Sequence, residues 1–172
     1  MKTRDKIFYK KILQIFPIIF LYILVLTGFD LSFVFYGADL SFNFVYLIIF
    51  FFVLKNPNNL SFGLIFLAGI INDVVQNYPI GISSINYLLL CVIAAFIRSR
   101  MILPNLFYDW IIFFIAIIIV NSVNYTTLTM IFKIPIDYKT LMFNAILTFL
   151  IYPILSKIFN EKILKTMSLE DD

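Results

Sequence analysis

The chain of 172 residues has no histidine and a single cysteine, Cys91. A lone cysteine forms no disulfide within the chain, and the missing histidine excludes Cys/His metal centres and imidazole acid–base chemistry. Charge is also scarce. Asp, Glu, Lys and Arg make up 13% of the residues, against about 25% in an ordinary soluble domain. Five glycines and no glycine-rich run leave no phosphate-cradling loop. No enzyme signature remains, and neither a cofactor nor a metal is expected.

What fills the chain is apolar: 62% of its residues, with 21 Phe and 10 Tyr, and a mean hydropathy of +1.00. A water-soluble fold would have to hide more apolar surface than a chain of this size buries. A bundle solvated by lipid carries an apolar outer face at no such penalty, and aromatic rings suit its interfaces. The expected fold class is therefore an all-α membrane protein, a single polytopic domain over 1–172.

A helix crossing the hydrocarbon core needs about 20 mainly apolar residues, and the charged residues mark the limits. Lys11 and Asp30 bracket the first span, 12–29, with Pro17 near its start. Asp39 and Lys55 bracket a short run, so the second span is extended back to cover 36–54. Asn56, Pro57, Asn58 and Asn59 form a polar turn, and Ser61 is placed as the cap of a third span, 61–75. Asp73 falls in its last turn. Asn77, Tyr78, Pro79 and Gly81 read as a break. Ser83 or Ser84 then caps a fourth span, 83–97, ended by Arg98 and Arg100. The fifth covers 106–132 and the sixth 140–159, with Pro153 near its end. The runs are continuous rather than alternating and longer than barrel strands of about 9–11 residues, so β structure is not expected.

Lys and Arg set the orientation. Of the 13 in the chain, only Lys133 and Lys139 fall on one side of a six-span arrangement. The N-terminal segment, Lys55, Arg98, Arg100 and the C-terminal tail hold the others. The positive-inside rule puts both termini in the cytoplasm of a bacterial inner membrane. The first span exceeds a signal-peptide core and has no A-x-A-like cleavage site, so it is read as a retained anchor.

Asp73 is the sharpest single feature, because a carboxylate within a membrane helix is costly. Asn72, Asn86, Asn121, Ser122 and Asn124 fall in the same, outer half of the bundle. Amide side chains in lipid seek partners across helices, so a polar cluster or small outward-facing cavity is expected around Asp73. Gly63, Ala68 and Gly69 suit close helix packing. Asp109 and Trp110 read as an interfacial pair at the cytoplasmic start of span five. Asp73 and Asp109 are expected near opposite faces, which excludes an aspartyl protease dyad.

The stretch from Gly63 to Leu90 reads GLIFLAGIINDVVQNYPIGISSINYLLL. It resembles the rod-shape-determining membrane protein MreD family, with its G-x-x-x-D pattern on the third helix, then P-x-G, then an apolar helix. Gly69, Asp73, Pro79, Gly81 and Tyr87 carry the match, over about 28 residues. The resemblance implies a non-enzymatic scaffold of the cell-elongation machinery. It would bind the bitopic protein MreC and, with MreB, RodZ, RodA and penicillin-binding synthases, help organise peptidoglycan synthesis. With Asn86, Asn121 and Asn124, the motif forms the expected structural or partner-binding set. The MreD family is in turn similar to the substrate-binding subunits of energy-coupling-factor vitamin transporters, which gives the alternative function. Those subunits carry small residues on the first helix for docking, whereas span one has no Ala or Gly before Gly28.

Overall fold

The computed structural model describes residues 3–28, 31–35, 38–55, 60–100 and 105–168. Apolar runs between charges and prolines form helices, as expected for chains whose backbone groups must be satisfied within each segment. Six α-helices occur among the described residues: α1 (Thr3–Thr27), α2 (Phe44–Lys55), α3 (Phe62–Gln76), α4 (Ile82–Arg100), α5 (Leu106–Thr126) and α6 (Tyr138–Ser168). A single π-helical turn, Thr127–Ile131, continues α5. Among the described residues, three stretches are long and apolar enough to cross a membrane: Ile82–Arg100, Leu106–Ile131 and Tyr138–Glu161. The apolar segments Ile15–Thr27, Phe44–Lys55 and Phe62–Gln76 are shorter.

Two expectations are corrected here. The fold is mainly helical but includes β structure that was not expected, and helix begins only at Phe44 within the expected second span, 36–54. Strands β1 (Leu31–Phe35) and β2 (Ala38–Phe42) form an antiparallel hairpin in which Ser32 pairs with Ser41 and Phe33 with Leu40. The sequence carries the reason in its period-2 alternation, Leu31-Ser32-Phe33 and Leu40-Ser41-Phe42, which suits strands rather than a helix. Only α2, of 12 residues and so about 18 Å long, follows it. The turn at residues 56–59, Pro104 and residue 29 of the first expected span lie outside the described residues.

The hairpin's outer edge is sealed by α6. The Ser41 N–H donates to Asn144 Oδ1 at 2.9 Å, and Asn144 Nδ2 returns a bond to Ser41 Oγ at 3.1 Å. One turn along α6, Thr148 Oγ1 accepts the Asn43 N–H at 3.0 Å. Asn144 and Thr148, four apart on one helix face, thus pair an amide on the free edge of β2 and one just beyond its end.

At the centre lies α2, with every residue from Val45 to Leu54 buried. Helices α1, α4 and α6 pack on it. From α5, the Phe113 ring meets Phe50 at 5.0 Å between centroids and stacks on Tyr152 of α6 at 4.4 Å. The outer helices are apolar on their exposed faces as well. Ile15, Ile19 and Ile23 on α1, Ile111, Ile115 and Ile119 on α5, and Ile146, Leu150, Ile154 and Ile158 on α6 are all exposed at four-residue spacing. A helix facing water would carry charged or polar residues on that stripe.

Pro153 sits inside α6. A proline has no N–H, so the carbonyl four residues back loses its helical partner. That carbonyl belongs to Phe149, and the Trp110 indole Nε1–H donates to it at 2.8 Å. The Trp110 and Phe149 rings stack at 4.6 Å, with planes 10° apart.

Candidate functional site: an inter-helix cap and a polar cavity

The end of α3 and the start of α4 form one joint. Asn77 closes α3 in the left-handed conformation (φ 57°), and the Tyr78 N–H returns to the Asp73 carbonyl at 2.8 Å, a common helix ending. Gly81 has φ 106°, a conformation that disfavours any side chain. The chain thereby doubles back, and the first amides of α4 face the Asp73 carboxylate. Asp73 Oδ2 accepts from the Gly81 N–H at 2.7 Å and Oδ1 from the Ser83 N–H at 2.9 Å. Asp73 is fully buried. Both its oxygens are occupied, and its charge lies at the positive end of α4.

Helix α4 begins at Ile82, so the expected capping role of Ser83 or Ser84 falls to Asp73. The two serines bond sideways instead. Ser83 Oγ accepts from Asn72 Nδ2 at 2.9 Å, and Ser84 Oγ donates to the Phe66 carbonyl at 2.9 Å. Ser61 precedes α3 without a side-chain capping bond. Gly69, one turn before Asp73, is where α3 and α4 touch. A Cβ added there would run into the backbone of Ser84.

The amides gather at the same end of the bundle. Asn86 Nδ2 donates to Asn124 Oδ1 at 2.9 Å, joining α4 to α5. Beside this pair opens a cavity of about 470 Å³, walled by the hairpin, α2, the end of α3, the start of α4, the end of α5, and α6 with the loop before it. Asn86, Asn121 and Asn124 all line it; Asp73 does not. Asn72 and Ser83 line the cavity beside the cap. Of the expected set, Gly69, Asp73 and Gly81 build the joint, Pro79 opens its turn, and the three asparagines form cavity wall. Ser122 points away, bonding the Ile118 carbonyl of its own helix at 2.8 Å.

Sequence reasoning missed Gln76, Tyr78, Asp137 and Asn144, which also line the cavity. Asp137 caps α6. Its carboxylate accepts from Thr140 Oγ1 at 2.8 Å, the Lys139 N–H at 3.1 Å and the Thr140 N–H at 3.3 Å. The Thr140 hydroxyl bond, then the Lys139 amide bond, hold its carboxyl below the usual aspartate value. Ser/Thr/Asp ahead of an apolar run is the sequence signal for such a cap.

At the opposite end, Asp109 is buried and ion-paired. It is 1% exposed, and its Oδ2 pairs with Lys55 Nζ at 2.5 Å, tying the last residue of α2 to the first turn of α5. Asp109 Oδ1 has no hydrogen-bond partner among the described residues. Asp73 and Asp109 thus serve opposite ends of the bundle. Compared with known proteins, the chain matches no family model, no curated protein and no solved structure.

Proposed function

We propose that the chain is a six-span, non-enzymatic scaffold of the bacterial inner membrane, of the MreD type, which docks the bitopic protein MreC in the cell-elongation machinery. The observation that carries this reading is the joint of α3 and α4. Four of the five residues of the MreD-like pattern, Gly69, Asp73, Pro79 and Gly81, serve this one construction, while the fifth, Tyr87, lines the cavity. A cap that fixes two helices against each other presets the surface a partner helix meets, which lowers the ordering cost of docking. The exposed isoleucine stripes of α1, α5 and α6 supply lipid-facing or helix-docking faces. The short apolar segment of α1 and the short helices α2 and α3 cross with the help of flanking residues, the hairpin completing the passage of α2. Both termini lie in the cytoplasm and the cavity opens outside.

The test is extraction of the tagged protein from native membranes in mild detergent, followed by identification of co-purifying proteins. Recovery of MreC, with or without MreB, RodZ, RodA or a penicillin-binding synthase, supports the scaffold. Recovery of a transporter module with its ATPase subunits, and no MreC, overturns it. The 470 Å³ cavity is the specific observation that favours this second reading, a substrate-binding subunit of a vitamin-type transporter.

A further inference from the structure

We infer that the polar cavity is a binding site for a small, uncharged, hydroxyl-rich solute of the sugar class. The assignment is independent of whether the chain docks a bitopic partner or a transporter module. Four features of the cavity lead to it.

The first is size. About 470 Å³ falls within the roughly 300–1,000 Å³ of small-molecule pockets. The second is an inverted lining. Ligand pockets are usually walled mainly by apolar groups with a few polar ones, whereas here uncharged amides and hydroxyls predominate. Among the described residues, the side chains of Gln76 and Asn121 make no hydrogen bond. Each amide therefore aims an unused donor pair and an unused acceptor at the cavity, from two different helices. Both side chains are half-buried at the cavity wall, and a solute with several hydroxyls engages such donors and acceptors together.

The third is charge. Among the described residues no lysine or arginine lines the cavity, so an anion such as a phosphate or carboxylate finds no counter-charge there. Asp137 is the one charged residue among the described lining residues, and its oxygens already accept three bonds at the start of α6. Among the described lining side chains, a cation therefore meets no carboxylate free of such bonds. The fourth is shape. Tyr46 and Tyr87 stand edge to face at 5.9 Å, and Tyr78 completes a set of three lining tyrosines. Their rings offer flat apolar surface beside polar edges, which matches a sugar ring with its C–H faces and equatorial hydroxyls. The Asn86–Asn124 and Asn72–Ser83 bonds hold these walls in place before any solute arrives.

The experiment uses the full chain in an amine-oxide detergent, which carries no sugar headgroup. Saturation-transfer NMR is run with maltose and with N-acetylglucosamine, and with glucose 6-phosphate as the anionic counterpart. The expected result is transfer to at least one neutral sugar and none to glucose 6-phosphate. Gln76→Leu and Asn121→Leu, on different helices, each weaken sugar binding about tenfold or more, the effect of leaving one ligand hydrogen bond unmade. Ser122→Ala, outside the cavity on α5, leaves it unchanged. Transfer to neither sugar overturns the assignment. So does equal transfer to glucose 6-phosphate, or wild-type sugar affinity in both leucine variants.

Discussion

The Trp110 indole Nε1–H occupies the hydrogen-bonding position on the Phe149 carbonyl that Pro153 vacates, at 2.8 Å. Trp110→Phe keeps an aromatic ring for the stack on Phe149 but removes the donor. It is expected to lower stability by about 1–3 kcal/mol, the cost of an unsatisfied buried acceptor. Pro153→Ala returns an N–H to position 153, so in that background Trp110→Phe costs less. Thermal unfolding of the double-mutant cycle measures the coupling, and strictly additive effects would show that the indole is not substituting for the missing amide.

Asp73→Asn keeps the size of the side chain but leaves a single acceptor oxygen. One of the Gly81 and Ser83 amides then faces an NH₂ group. The expected loss is about 1–2 kcal/mol, typical of a helix cap, read by thermal unfolding in detergent. Asp73→Leu, which removes both acceptors, is expected to cost more. A melting temperature that stays at the wild-type value in both variants would remove the cap from the account of this joint.

Gly69→Ala and Gly63→Ala make a matched pair on α3. A Cβ at Gly69 meets the backbone of Ser84, while at Gly63 the nearest atom is Ser61 Oγ at 3.9 Å. Gly69→Ala is expected to destabilise by about 1–3 kcal/mol, as overpacking does. Gly63→Ala is expected to be neutral, or stabilising by up to about 1 kcal/mol through helix propensity. Equal melting temperatures for the two variants would contradict the close crossing.

Lys55→Met leaves the Asp109 carboxylate buried without its ion-pair partner. Breaking a buried pair costs about 3–5 kcal/mol. Adding Asp109→Leu to Lys55→Met is expected to recover much of that loss, because no stranded charge remains. Urea or thermal denaturation of the single and double variants distinguishes this from a pair that merely decorates the interface.

Asp137 gives a pH signature at the start of α6. Its folded carboxyl titrates below the ordinary aspartate value, so the cap contributes fully above that ordinary value, about 3.9. The contribution is lost as pH falls through the lowered value. Hydrogen exchange at the Lys139 and Thr140 amides, corrected for intrinsic rates, is expected to lose protection across that acid window. In Asp137→Ala the protection should be low throughout, and a wild-type-like profile in that variant would exclude the capping role.

Helices α3 to α6 are legible in the sequence because charges, prolines and Gly81 bracket them. The hairpin was not, since Asp39 reads as a span limit and the apolar run after it hides the alternation at Leu40, Ser41 and Phe42. Its anchors, Asn144 and Thr148, stand more than a hundred residues away. Asp73 stood out by charge alone. Its partners are backbone amides, which no residue type announces, so its capping role became visible only in three dimensions. Asn72, Asn86, Asn121 and Asn124 were picked out as unusual in apolar helices, whereas Gln76 and Asp137 lie at helix ends where polar residues are ordinary. Lys55 and Asp109 escaped for the same reason, each sitting at the edge of its run.

The burial of α2 on every side bears on how the protein is made. A chain delivered N-terminus first releases α2 before α4, α5 and α6, three of the helices that enclose it. During that interval its flanks meet lipid, or whatever escorts it, rather than protein. Its unbroken apolar run from Val45 to Leu54 suits both the wait and the destination, since the same side chains that dissolve in acyl chains later fill the middle of the bundle. Lys55, at its end, gains the Asp109 carboxylate only once α5 has emerged, so this ion pair forms late in biogenesis and fastens a helix that was already in place.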